Sequence, residues 1–343
     1  MSQFDSIIIV SFGGPNEPSE VMPFLRNVVR GRNIPDERLV EVAEHYMHFG
    51  GKSPINEQNL ALIEALKQEL HVRNINFPIY FGNRNWNPYI KDSLKQMHRD
   101  GKKNALAFFT SMFSSYSGCR QYRENIENAR NEFKTETGIE APQVQKVRMG
   151  FNHPGFIESM KSRVLDSLSA LSENERKNPR LIFTAHSIPI GMAKNSSYEL
   201  QLQESCKLVA VAANIQEYIL CYQSRSGSPM QPWLEPDISE VIKSTDKNIY
   251  SSVIVAPIGF ISDHMEVLFD LDEEAKETAE SAGIVFARAG TVGTHPAYVN
   301  MIADLIEERL FPEKVEKKSI GDLPSWHDVC PVDCCLYEVP KRQ

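Results

Sequence analysis

The stretch YSSVIVAPIGFISDHMEVLFDLDEE (250–274) begins as an unbroken apolar run and turns acidic within a few residues. A continuous run, with no alternation of apolar and polar positions, reads as a parallel strand covered on both faces. Pro257 follows it, and the carboxylates Glu266, Asp270, Glu273 and Glu274 then fall at helical spacing. The pattern predicts a strand feeding a helix that starts near Ser262, with acidic side chains on one face. Similar runs occur at 6–12, 77–83, 104–111, 144–150, 180–187, 217–224 and 283–290. Between them lie segments such as NLALIEALKQELHV, with apolar residues at i, i+3, i+4 and i+7. Repeated strand–helix order of this kind predicts an α/β protein with doubly wound parallel sheets.

The eight runs divide four and four, and the halves echo each other. GNRNWNP follows the second run and QSRSGSP the sixth, aligning Arg84–Pro88 with Arg225–Pro229. FFTSMFSS and VAPIGFIS occupy equivalent places one strand later. Two similar domains facing across a cleft are expected, at residues 1–160 and 161–312, with an appended extension at 313–343. That extension is aperiodic and ordered only where something ties it down.

The 343 residues carry a net charge of −8 and no basic tract, which argues against a nucleic-acid surface. No window reaches the roughly 18–20 apolar residues of a membrane span, and the N-terminal run lacks the flanks of a signal peptide. A soluble cytoplasmic protein with no integral membrane association is expected. Neither a G-x-G-x-x-G fingerprint nor a Walker sequence is present, so phosphate chemistry is disfavoured.

Ligands of open α/β sheets bind beyond the carboxyl ends of the strands. There the sequence sets SFGGP, TSMFSSYSG, AHSIP, CYQSRSGSP and GFISDHMEV. His186 closes one strand and Glu266 follows another. An imidazole and a carboxylate across a cleft can hold a divalent ion of intermediate softness such as iron(II). They can also accept protons near neutral pH. Metal insertion into a ring that must lose two N–H protons needs both. Of six cysteines, Cys330, Cys334 and Cys335 crowd into the last fourteen residues, a clustering that suggests metal or iron–sulfur ligation.

FTAHSIP, CYQSRSGSPMQPWLEPD, APIGFISDHMEVLFDLD, GNRNWNP and SFGGP together resemble the ferrochelatases over roughly residues 5–310. SFGGPNEPSEVMPFLRNVVRGRNIP and YSGCRQYRE are similar to the actinobacterial-type branch, whose enzymes act on coproporphyrin III. The resemblance implies the type II chelatase fold and insertion of Fe2+ to give coproheme. By motif, it implies His186 and Glu266 as the iron- and proton-handling pair, with His264 beside them. Asp270, Asp272 and Glu273 would continue an acidic path. Phe12 stands where relatives often carry Tyr. Ser53 and Tyr122 match positions that contact ring propionates, with Arg30 and His45 as weaker matches. The tail implies a [2Fe–2S] cluster on Cys330, Cys334, Cys335 and a fourth ligand from the chain. Ser159 stands where animal enzymes carry cysteine, which leaves Cys119 first and Cys206 second. A downstream coproheme decarboxylase and a monomeric state are further implications. Protoporphyrin IX as the substrate, or a haem- or iron-binding chaperone without turnover, are the alternative readings.

Overall fold

A computed structural model describes residues 3–31, 34–226 and 230–337. Eight strands form: β1 (Ser6–Ser11), β2 (Ile79–Asn83), β3 (Asn104–Phe109), β4 (Gln143–Lys146), β5 (Pro179–His186), β6 (Tyr218–Gln223), β7 (Ser252–Ala256) and β8 (Val285–Arg288). All the expected runs are strands. They build two parallel four-stranded sheets, ordered β2-β1-β3-β4 and β6-β5-β7-β8. Adding four to each label of the first sheet gives the second, so the two halves share one topology. In the first sheet Ile9 lies opposite Phe81 on one side and Phe108 on the other. Phe183 holds the same place in the second, between Leu220 and Ala256. All six residues of β1 and all five of β7 are buried, as continuous apolar strands require.

The first half carries helices α1 (Val21–Val28), α2 (Asp36–His48), α3 (Ile55–Val72), α4 (Ile90–Arg99) and α5 (Gln121–Thr137). Then come α6 (Pro154–Ser169), α7 (Ile190–Lys194), α8 (Tyr198–Ala212) and α9 (Ile238–Lys243). The last are α10 (Met265–Val267), α11 (Lys276–Ala282) and α12 (Pro296–Leu310). The helix α6 packs on β7, β8 and α8, while α12 returns to pack on α3 and α6. One apolar core therefore runs through both halves, from Ile7 to Leu310. A separate small cluster of Val21, Phe24, Leu25, Leu39, Ala43 and Trp86 joins α1 to α2 at the lip of the first half. No helix among the described residues is long and apolar enough to cross a membrane.

Two expectations need correction. Pro229 lies outside the described residues, and the proline that structurally matches Pro88 is Pro236. Asn83 N–H donates to the Pro88 carbonyl at 2.7 Å, and Tyr222 N–H donates to the Pro236 carbonyl at 2.9 Å. Tyr89 and Asp237 then bridge the two strand ends in the same parallel sense. Second, the acidic helix starts at Met265, not near Ser262. His264 is its cap, its Nδ1 accepting from Glu266 N–H at 3.2 Å. After α10 the chain widens into a π-helical segment, Leu268–Ala275, before α11.

The tail is tied down at many points. Arg148, fully buried, pairs with both oxygens of Glu308 at 2.6 and 2.8 Å and donates to the Lys318 carbonyl at 2.7 Å. Asn152 donates to Leu323 O, and the Glu204 carboxylate accepts from the backbone of Asp322 and Leu323. Lys146 holds the His327 carbonyl at 3.1 Å, and Arg120 holds those of Val332 and Cys334 at 2.8 and 3.0 Å. These side chains supply the carbonyl and N–H partners that an aperiodic segment cannot give itself.

Candidate active site between the two halves

The carboxyl ends of the two sheets' strands turn toward each other, where Asp263 N–H donates to Gln58 Oε1 at 2.8 Å and His45 stacks on Phe269. In the first half, β1 leads into Gly13 and Gly14. A side chain on Gly14 would meet Ser53 Cβ at 2.6 Å, and Gly13 has φ +83°, so neither position admits a larger residue without a shift. A buried polar chain fixes this turn. Asn59 donates to Ser11 Oγ at 2.8 Å, Asn56 to Gly14 O at 2.8 Å, and Asn83 to Asn56 Oδ1 at 3.2 Å. Above it stands Phe12, 38% exposed, edge-on to Phe24 at 6.2 Å. The Arg84 guanidinium lies 5.7 Å from the Phe12 ring and 4.6 Å from that of Tyr122, steered by a 2.7 Å bond to Asn125 Oδ1. This wall is aromatic and cationic.

The wall of the second half is titratable. His186 Nε2 is 3.6 Å from Glu266 Oε2, and His264 Nδ1 is 3.9 Å from the same oxygen. The other His186 nitrogen, Nδ1, lies 2.5 Å from the Ser187 carbonyl, a contact that makes Nδ1 the donor and turns Nε2 toward Glu266. Burial alone would lower the His186 pKa, but the facing Glu266 carboxylate overcomes it and holds the group up at about 9. Glu266 is affected in the opposite sense: burial raises it, and His186 outweighs that, drawing it down to about 2. His264 is lowered, mainly by burial. At neutral pH the pair is an imidazolium–carboxylate couple.

Asp270 comes next. Burial pushes its pKa up to about 7; the Ser224 hydroxyl opposes this, and Glu266 and Glu274 add to it. Its carboxylate accepts from Ser224 Oγ and, at 3.4 Å, from Gln223 Nε2, which also donates to the Glu266 carbonyl at 2.9 Å. Ser224 has φ +60°, a conformation a serine rarely adopts, and this aims its hydroxyl at Asp270. Glu274 is raised too, by burial and then by Asp237 and Glu277. The row that forms is thus Glu266, Asp270, Glu274, on one face of α10 and the π-helical segment.

The other expected residues are distributed as follows. Asp272 is held by Arg288, Oδ1 to Nε at 2.5 Å, and Arg288 also binds Asp263 at 3.1 Å, so Asp272 is committed to an ion pair and not to the row. Glu273 reaches His48 of α2 at 3.5 Å. His45 stacks flat on Phe269, 3.7 Å between centroids, joining α2 to the π-helical segment; burial, then Arg38, lowers its pKa. Ser53 and Tyr122 are only 2% and 4% exposed, Tyr122 stacked on Phe109 and roofed by Arg84. Arg30 is exposed at the end of α1, bonded to Asn27.

Sequence reasoning passed over Arg84, Ser224 and Tyr46 as site residues, and set Glu274 on the acidic face without including it in the acidic path. Tyr46 of α2 is close enough for Glu266 to add to the burial that raises its phenol pKa, which puts it across the cleft from the pair. Arg84 sat in a quoted motif, and Glu274 keeps the i+4 step from Asp270. Only the fold brings Arg84 onto Phe12 and Tyr122, and sets Glu274 near Asp270 in a hollow lined by Ser239, Lys243 and Glu277.

A second cluster lies where the tail crosses the first half. Cys119 sits in a π turn, Tyr116–Arg120, beside Cys330. Cys334 Sγ is 3.5 Å from Cys335 Sγ and 3.9 Å from His327 Nε2. All four expected cysteines converge. Cys206 is instead fully buried on α8, and Ser159 is buried with its hydroxyl on the Phe156 carbonyl. Cys119, outweighing burial, holds the Cys330 thiol down at about 4, so this donor is ready as a thiolate.

Two topologically equal α/β halves with a titratable pair between them define a two-domain chelatase. Solved structures agree on the fold: "SirB from Bacillus subtilis with Fe3+" superposes with a TM-score of 0.56 at 11% identity, covering 92% of this chain and 99% of that one. A cobalt complex of the sirohydrochlorin chelatase SirB from Bacillus subtilis subspecies spizizenii gives 0.54, at 11% identity over 90% and 96%. The ferrochelatase family model matches residues 5–310, and the chain belongs to the ferrochelatase family. It is 57% identical to the ferrochelatase of Rhodopirellula baltica, over 99% of this chain and 95% of that protein. It is 48% identical to the coproporphyrin III ferrochelatase of Mycolicibacterium smegmatis (91% and 93% covered) and 44% identical to that of Streptomyces griseus (98% and 95%).

Proposed function

We propose that this protein inserts ferrous iron into coproporphyrin III to give coproheme. The observation that carries the reading is the His186–Glu266 pair, 3.6 Å apart at the strand ends, backed by Asp270. Two donors on one first-row cation, with bonds of about 2.1 Å, stand roughly 3–4 Å apart, so the pair spans an arriving iron(II). Iron and the pyrrole protons compete for the same imidazole. The His186 proton must leave before Nε2 can act, and Glu266 shares it. The arriving cation displaces that proton, and ionised Asp270, which titrates near 7, can receive it. Phe12 and Arg84 offer the opposite wall a flat apolar and cationic contact for a ring bearing propionates. Arg30 and His45 extend the positive and polar rim, and Ser53 and Tyr122 support it from below.

The names of the relatives from Mycolicibacterium and Streptomyces favour coproporphyrin III over protoporphyrin IX. The lip supports the same choice: Val21, Phe24 and Leu25 of α1 are buried in their own cluster instead of being offered to a membrane. A cytoplasmic monomer handing its product to a coproheme decarboxylase is the corresponding cellular picture. The tail cluster fits a [2Fe–2S] group, since a thiolate-ready Cys330 and further thiols meet at one point. Its four donors would come from Cys119, Cys330, Cys334, Cys335 and His327, and it would supply one-electron chemistry.

The test is an anaerobic assay with iron(II) on coproporphyrin III and protoporphyrin IX in parallel, followed at the Soret band. Conversion of coproporphyrin III alone is expected. Conversion of protoporphyrin IX would move the enzyme to the other substrate, and tight binding without conversion of either would make the protein a chaperone. Cys334→Ala should remove the visible absorption of the anaerobically isolated protein; unchanged colour would refute the cluster.

A further inference from the structure

Each half reaches across to the other with one glutamine. Gln58 stands fourth in α3 of the first half, and its Oε1 accepts the Asp263 N–H of the second at 2.8 Å. Gln201 stands fourth in α8 of the second half, and its Oε1 accepts the Ser114 N–H of the first at 2.7 Å. The two helices correspond, since α3 leads into β2 as α8 leads into β6. The receiving residues correspond as well. Val10 follows Ile9 as Thr184 follows Phe183, and these two carbonyls accept from Thr110 N–H and Gly259 N–H, each at 3.0 Å. Ser114 and Asp263 lie four residues beyond Thr110 and Gly259. The two glutamine bonds are therefore one contact repeated by the internal symmetry of the fold. A backbone N–H only donates, which fixes each amide with its oxygen toward the opposite half. The side chains meet too: Ser114 Oγ donates to Gln201 Oε1 at 3.0 Å, and Gln58 Nε2 approaches Asp263 Oδ2 at 3.5 Å.

What each glutamine holds differs. Asp263 precedes His264, the cap of α10, and is gripped from its other side by Arg288 at 3.1 Å. The loop beyond Ser114 carries Ser117, whose carbonyl accepts from Arg84 Nη1 at 3.5 Å. Gln58, rooted in the first half, thus holds the titratable wall, and Gln201, rooted in the second, holds the wall of Arg84. Gln201 and Ser114 are fully buried, and Gln201 Nε2 has no acceptor among the described residues. A buried amide with an unpaired N–H is costly, so the use of Gln201 at this position lies in its oxygen. We infer that Gln58 and Gln201 are reciprocal positioning residues of the insertion reaction, each setting the place of the opposite wall against the ring. The inference rests on the iron-insertion reading above and adds the residues that set the gap.

The experiment uses the full chain, assayed anaerobically with iron(II) and coproporphyrin III, with affinity read by quenching of porphyrin fluorescence and folding by thermal melt. Methionine keeps the length of glutamine and removes the acceptor, leaving the opposite N–H unpaired. Gln58→Met should lower turnover at saturation about 10-fold, because a displaced reacting group loses rate steeply, with affinity within about 2-fold of the parent. Gln201→Met should do the reverse, weakening affinity about 2- to 10-fold with turnover at saturation retained. Should Gln201→Met fail to fold, Ser114→Ala removes one bond of the same contact and should show a smaller loss of affinity. The same parameter moving in both variants, or a lowered melting temperature with neither parameter moved, would overturn the inference. A parent that binds coproporphyrin III without inserting iron would instead sink the functional reading. The affinities then decide: weakened binding in Gln201→Met alone upholds the two placements, and equal affinities overturn them.

Discussion

The two halves share a strand order, yet their strand ends carry different chemistry. The first half closes on Phe12, Arg84 and Tyr122, with a buried asparagine chain beneath them. The second closes on His186, Glu266 and Asp270, groups whose proton affinities have been moved in opposite directions. A common scaffold can thus be divided into a wall that binds and a wall that reacts. The difference arises at a few positions just past each strand, where side chains meet the cleft without disturbing the sheet.

If the division is real, damage to the second wall should strike turnover and damage to the first should strike affinity. The largest effect belongs to Glu266→Gln, which keeps the shape and removes the charge that holds the His186 proton. Turnover should fall by about 10²–10⁴-fold, the usual worth of a positioned acid–base group, with KM for the porphyrin little changed. A large rise in KM instead would make Glu266 a binding residue.

Arg84→Ala comes next, in the other direction. It removes the cation that this wall would offer the bound ring, a cation–π contact worth about 0.5–2 kcal/mol. Porphyrin affinity, measured by quenching of its fluorescence, should weaken about 2- to 30-fold while turnover at saturation is retained.

Asp270→Asn sharpens the account through pH. The folded-state pKa of Asp270, about 7, lies above its unfolded value of 3.8, so the fold retains a proton that the unfolded chain gives up. Ionised Asp270 therefore costs stability above pH 7, and that cost disappears as pH falls toward 3.8. The variant should be more stable than the parent at pH 8, by about 1–2 kcal/mol, and equal to it near pH 4, while turning over more slowly. Thermal melts at the two pH values check this. Ser224→Ala, the smallest change, removes the hydroxyl that opposes the raised pKa. It should move the pH dependence of turnover upward by a fraction of a unit.

The sequence shows why this division was only partly legible. Uninterrupted apolar runs such as SIIIVS and SVIVA can be satisfied only between covered faces, so the sheets could be read directly. His186 and Glu266 could be found because they sit at run ends. What eluded sequence were choices made by tertiary contact. The carboxylates of 270–274 are nearly interchangeable as text, but Arg288 on β8 captures Asp272 and the π-helical widening decides which of them face inward. His264 looked like a helix residue because nothing local marks it as a cap. Pro88 and Pro236 correspond through a hydrogen bond to a strand end and not through a shared motif. His327 went unnoticed because a histidine three residues before a cysteine cluster has no distinctive spacing by itself.

The most direct test of the account takes His186→Ala, and in one anaerobic sample measures both porphyrin affinity and the rate of iron insertion. Loss of insertion by about 10²–10⁴-fold with affinity within a few-fold of the parent is the predicted result. Insertion that persists, or affinity that collapses together with it, would contradict the assignment of chemistry to the second wall and binding to the first.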